Sequence, residues 1–131
     1  YHPNSGKWGA VRYPLDRAET GRVGLSAITA HGGHLYVVER DNGIDDAARI
    51  KKLYRVDLRG LTPSGLGEEL PTVTKHKSRD LIPYLKALNG YVTDKVEGFA
   101  VDASGVGYAV TDNDGVSESS GETLFFSVGR M

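Results

Sequence analysis

The chain has 131 residues, with 16 lysines and arginines against 17 aspartates and glutamates and a formal net charge of −1. Charges this evenly mixed create no field for nucleic acid or an anionic surface, and no stretch approaches the ~18 apolar residues of a membrane span, so neither nucleic-acid binding nor membrane insertion is expected. The absence of cysteine excludes disulfides, cysteine-bound zinc and thiol catalysis, and leaves the compartment open.

The chain opens at Tyr1 rather than at an initiator methionine and carries no signal peptide, so it reads as a piece of a longer protein. Its elements are short strands punctuated by turns. Residues 8–15, with Trp8, Val11, Tyr13 and Leu15 in partial alternation, suit an outer strand ending at Pro14. Residues 25–30 form the next strand, and His31-Gly32-Gly33 the tight connection after it, because glycine accepts the positive φ of hairpin turns. Leu35-Tyr36-Val37-Val38 is apolar on both faces, which an antiparallel strand shows when sheets stack on either side of it. Residues 50–58 make a further strand, Pro63, Ser64, Gly65 and Gly67 a loop, and residues 71–77 a more polar outer strand. One helix follows, capped by Asp80, with Pro83 in its first turn, Leu81, Leu85 and Leu88 on one face, and Asn89-Gly90 at its end. Strands over 96–101, 107–111 and 122–128 complete the chain.

Laying Ala27 over Phe99, an offset of 99 − 27 = 72, superposes residues 27–43 on 99–115 without a gap. Tyr36 then meets Tyr108, Val38 meets Val110, Gly33 and Gly43 meet Gly105 and Gly115, and Glu39-Arg40-Asp41-Asn42 meets Thr111-Asp112-Asn113-Asp114. Repetition at fixed spacing marks an array fold whose units bury their apolar faces against one another. The expected architecture is all-β: a single domain over 1–131 with units at about 24–90 and 91–129, read as about two β-propeller-like blades with one short helix inserted. Two blades leave the ring incomplete, so either a larger propeller or self-association through exposed blade edges is expected to cover the open faces.

In an antiparallel unit the start of the first strand and the end of the second lie at one end. That places Asp94, Lys95 and Glu97 near Asp112, Asn113 and Asp114, with Glu39, Arg40 and Asp41 of the preceding unit on the same side. Carboxylates with an Asn carbonyl suit Ca²⁺, and Arg with Lys suits a phosphate or carboxylate. Glu39, Arg40, Lys95 and Glu97 are therefore candidate catalytic residues, as bases or as charge-neutralising cations. Asp41, Asp112, Asn113 and Asp114 are candidate metal ligands, and a small anionic or ester substrate is the candidate partner. Each group has a plainer alternative. Asp112-Asn113-Asp114-Gly115 also suits a simple turn, and Glu39, Arg40 and Asp41 also suit an ion-pair network between units. Lys51 and Lys52 read as a solvated strand face, and His31 and His34 as exposed turn residues. Gly24-Leu25-Ser26-Ala27 lacks the second glycine of a nucleophile elbow, so a serine esterase is disfavoured.

Val37-Val38-Glu39-Arg40-Asp41-Asn42, residues 50–58, Lys95-Val96-Glu97-Gly98-Phe99-Ala100 and Thr111-Asp112-Asn113-Asp114-Gly115 together resemble the phytase-like family, described by the esterase-like activity of phytase. The resemblance runs from about Arg12 to Gly129 and is to the carboxy-terminal portion of that domain, whose members are longer. It implies a propeller, an extracytoplasmic location, and a hydrolase of phosphate or other esters with calcium as the candidate cofactor. The paired acidic motifs of calcium-dependent propeller phytases are not visible in this chain. The alternative is a non-catalytic propeller scaffold that binds a ligand or partner through the same face.

Overall fold

Gly32 and Gly33 both sit at positive φ, 58° and 79°, where a side chain would clash with its own backbone. They fold β1 (Val23–His31) back on β2 (His34–Asp41). β3 (Lys51–Asp57) and β4 (Lys75–Asp80) extend an antiparallel sheet in the order β1-β2-β3-β4. Helix α1 (Ile82–Asn89) leads to a second antiparallel sheet of β5 (Lys95–Val101), β6 (Val106–Asp112) and β7 (Phe125–Arg130). The computed structural model describes residues 1–93, 95–113 and 123–131. Among the described residues the protein is mostly β with one short α-helix, and no helix there is long and apolar enough to cross a membrane.

The apolar alternation in β2 accounts for the layering. Tyr36 and Val38 point with Leu53 of β3 toward the second sheet, where Val96, Phe99, Ala109, Phe126 and Val128 meet them in one buried core. Each of the larger side chains enclosed there contributes about 1.5–3 kcal/mol relative to exposure. The opposite face, with Leu35, Val37 and Val56, lines a groove closed on one side by Val11, Tyr13, Leu61 and Val73. The run of residues apolar on both faces thus lies in a sheet whose two faces both carry apolar cover.

Register ties the sheets together. Val38 pairs with Leu53, and Val110 with Phe125, each 72 residues later. Both first strands carry a β-bulge, at Ser26 between Leu25 and Ala27 and at Glu97 between Val96 and Gly98. These bulges are 71 residues apart, so the gapless alignment slips by one on the first strand. The second hairpin absorbs the difference in a longer turn, where the Asp102 carboxylate accepts the N–H groups of Ser104 and Val106.

Three expectations are corrected. Residues 8–15 form no strand; they make single bridges, Ala10 to Ser64 and Arg12 to Thr72. Their partner segment contains Pro63 and Pro71, which have no N–H to extend a ladder. Pairing of Arg12 with Pro71 and Val73, through N···O distances of 2.9 Å, also delays β4 until Lys75. In α1, Gly90 closes the helix at φ 75° as expected; the N-cap is Leu81 rather than Asp80, and the Asp80 Oδ1 accepts the Ile82 N–H (3.1 Å) from one position further out. Leu81 and Leu85 are buried but Leu88 is exposed, and Ile82 packs on the core in its place.

Candidate functional site

Alternation along β2 separates residues that are adjacent in sequence. Glu39 turns to the groove side of the first sheet, Arg40 to the seam with the second. The Glu39 carboxylate is wholly enclosed; it accepts from Lys75 Nζ (2.6 Å) and from the Asp16 N–H (2.5 Å). Asp16 binds Lys52 and Lys75 at 2.8 Å and the Tyr54 hydroxyl at 2.5 Å. The Lys75 ammonium sits 4.1 Å above the Tyr54 ring, a cation–π contact. Burial alone would raise the Asp16 pKa, but Lys52, Lys75 and Tyr54 hold it well below the usual carboxylate range. Burial, reinforced by nearby carboxylates, pushes both Tyr13 and Tyr54 above the ordinary phenol value. The Tyr13 hydroxyl is buried beside Glu39 without a hydrogen bond of good geometry.

Asp41, expected as a metal ligand, is buried at the end of β2 with its oxygens engaged. Lys51 Nζ lies 3.0 Å from Oδ1, and the N–H groups of Gly43, Arg49 and Ile50 donate at 3.2, 2.7 and 2.8 Å. Burial would raise its pKa; the Arg49 N–H, Lys51 and the Ile50 N–H outweigh burial and lower it. Lys51 is fully buried and also donates to the Asp41 carbonyl (2.7 Å), which corrects the expectation of a solvated strand face. Lys52 is half-buried, against Asp16. The loop can wrap this closely because residue 43 is glycine: a Cβ there would stand 2.4 Å from the Ala47 carbonyl oxygen.

At the seam, Arg40 Nη2 bonds Glu97 Oε1 (2.6 Å) and Nε donates to Ser26 Oγ (3.1 Å). Ser26 and Glu97 are the two bulge residues, so the same irregularity in each sheet turns a polar side chain onto one guanidinium. Beside it opens a cleft of about 570 Å³ lined by Arg22, Arg40, Asn42 and Lys95. Asn42 Oδ1 takes the Arg22 N–H (3.1 Å), so its NH₂ is the group with donors to give. Lys95 lies opposite Asp112 in the β5–β6 register, with Asn113 next in the chain; Asp114 and Asp94 lie outside the described residues.

The structure therefore brings Arg40, Lys95 and Glu97 to one seam, with Asp112 across from Lys95, and sends Glu39 and Asp41 into two separate buried pairings. Among the described residues no group of three His, Asp or Glu side chains is placed to hold a metal ion. The engaged oxygens of Asp41 do not fit a calcium ligand. His31 and His34 face each other across the β1–β2 turn, half-buried rather than exposed. Sequence reasoning missed Asp16, Lys75, Tyr54, Tyr13 and Arg22. The pairing of Glu39 with Lys52 was accessible from hairpin register, but Asp16 arrives from an irregular segment with no local signal.

These features define an all-β protein with a cationic cleft where its two sheets meet. The model of the phytase-like family, described as esterase-like activity of phytase, matches residues 1–115, and the chain belongs to that family. None of the curated proteins and none of the solved structures matches it.

Proposed function

We propose that the chain belongs to a phytase-like or esterase-like hydrolase of phosphate or other esters, and that the seam cleft receives the anionic end of the substrate. The observation carrying this reading is the convergence of Arg22, Arg40, Lys95 and the Asn42 amide on one cleft, the donor set that suits a phosphate or carboxylate. Arg40 and Lys95 would neutralise charge developing on the leaving oxygen, and Glu97 is the carboxylate at hand for a proton transfer. Glu39, enclosed and paired, is left out of this chemistry. Calcium enters only as a candidate ion for which Asp112, Asn113 and Asp114 would be ligands, and no step is routed through it. The two sheets are read as propeller blades at about 24–90 and 91–129 within one domain, and the protein as extracytoplasmic.

The test is turnover of phytate and of p-nitrophenyl phosphate and acetate, with and without added Ca²⁺, by the wild type and by Arg40→Ala. Turnover that falls by tenfold or more in the variant, about 1.4 kcal/mol of transition-state stabilisation, supports the proposal; turnover unchanged by the substitution removes the cleft from it. A second reading, a non-catalytic ligand-binding scaffold, is favoured by the fact that Asp16, Glu39, Asp41 and Glu97 all already hold a cation. It predicts ligand-dependent rises in melting temperature without hydrolysis.

A further inference from the structure

We infer that the ligand of the seam cleft is a free alkyl phosphate, its phosphate held among the cleft cations and its alkyl arm laid over β1 into the apolar groove on the other face of the first sheet. This names the substrate class of the site proposed above and rests on that reading. The groove has a volume of about 290 Å³, near the lower end for a ligand pocket. Among the described residues that line it, none is charged. Val37 and Val56, both buried, make its floor. Tyr13 and Leu61, from segments outside the sheet, wall it on one side, so the chain's own cover leaves a channel rather than a face open to another sheet. On the other side stand Leu25 and Ile28 of β1, 51% and 66% exposed.

Two residues join the groove to the cleft. Leu25 lines both. Ser26, the bulge residue beside it, lines the groove, and its hydroxyl accepts from Nε of Arg40 (3.1 Å), which lines the cleft. Gly24, the preceding residue of β1, lines the cleft too, and a Cβ added there would meet nothing within 4 Å. No described side chain therefore crowds the cleft at the crossing. Arg22, Arg40 and Lys95 give the cleft side its preference for an anion, whereas the groove favours methylenes and penalises a polar group that finds no partner in it. A ligand that is polar along its whole length satisfies only the first half. An anionic head on an unbranched apolar arm satisfies both.

Titration calorimetry of the full chain tests it with methyl phosphate, octyl phosphate and octyltrimethylammonium, each below the concentration at which it forms micelles. A methylene buried in the groove strengthens binding about three- to fourfold, so an arm that buries even two of them should make octyl phosphate bind at least about tenfold tighter than methyl phosphate. Octyltrimethylammonium, with the same arm and a cationic head, should bind at least about tenfold more weakly than octyl phosphate. In the double variant Leu25→Asn/Ile28→Asn, at two positions more than half exposed, the preference for octyl over methyl phosphate should disappear. A wild-type preference below tenfold overturns the inference and leaves the cleft reading in place, because methyl phosphate reports on the cleft alone. So does a preference that persists in the double variant. A chain that binds neither phosphate, or that binds both octyl compounds equally, overturns the inference and the anion-binding role of the cleft together. The comparison of the three ligands on the wild type decides the matter even if the double variant fails to fold.

Discussion

Glu39 and Arg40 are neighbours on one strand, yet one is sealed in a network with Asp16, Lys52 and Lys75 while the other reaches a cleft with its side chain 21% exposed. The difference follows from the two-residue period of a strand, which sends successive side chains to opposite faces. A carboxylate enclosed and matched by lysine is a structural commitment, because losing its partner leaves a buried charge. A guanidinium at a half-open seam can exchange partners with a ligand at modest loss. Similar chemistry therefore carries different consequences on the two sides of one sheet, and substitutions on each side should separate them.

The largest effect is expected from Lys75→Ala. It strips Glu39 and Asp16 of a shared cation and should lower unfolding stability by about 3–5 kcal/mol, the range for breaking one side of a buried ion pair, as read from urea denaturation. A loss below about 1 kcal/mol would mean that solvent reaches Glu39 and that the contrast with Arg40 is false. Asp16→Asn comes next, at about 1–3 kcal/mol near neutral pH, and it carries a pH signature. The folded-state pKa values of Asp16 and Asp41 are both depressed, so their contribution is complete above the unfolded carboxyl value of about 3.9 and is lost as pH falls below it. Melting temperature should drop steeply below about pH 4, and less steeply in Asp16→Asn. Tyr13 and Tyr54 are raised, so the stability that depends on their neutral forms is present below about pH 10 and lost above it.

Arg40→Ala sharpens the comparison from the other side. Its pair with Glu97 is part-exposed on both partners, so the stability loss should be about 1 kcal/mol or less. Anion binding, followed as the rise in melting temperature with added phosphate, should be abolished. A variant that kept the phosphate response and lost stability like Lys75→Ala would reverse the roles assigned to the two faces.

The strands were legible wherever local pattern decides them. The apolar run over residues 35–38, the Gly32-Gly33 turn and the Gly90 helix end all lie where local chemistry places them. What escaped was set by distant partners. Residues 8–15 have strand composition but meet a proline-bearing segment that cannot continue a ladder. Lys51 looks like surface and is buried because Asp41 folds back over it. The convergence of Arg40 with Glu97 followed from hairpin direction alone, but the detail that fixes it did not. Each first strand carries a bulge, and a bulge shows in a sequence only as a one-residue slip in an otherwise even register.

The smallest effect is expected at Asp57, which also shows why a strong pKa shift is not by itself a structural commitment. Arg59 holds the Asp57 carboxyl well below its usual range, through its side chain and its N–H. Both groups stand in solvent, with side chains 43% and 81% exposed, and they are two residues apart, close enough to meet in the unfolded chain as well. Whatever favours the charged form is then largely present in both states, and folding gains little from it. Asp57→Asn should leave the melting temperature unchanged and flatten no part of the acid limb. A measurable destabilisation would show that the β3 end is more ordered by this pair than exposure implies, and would extend to the surface the behaviour that separates Glu39 from Arg40.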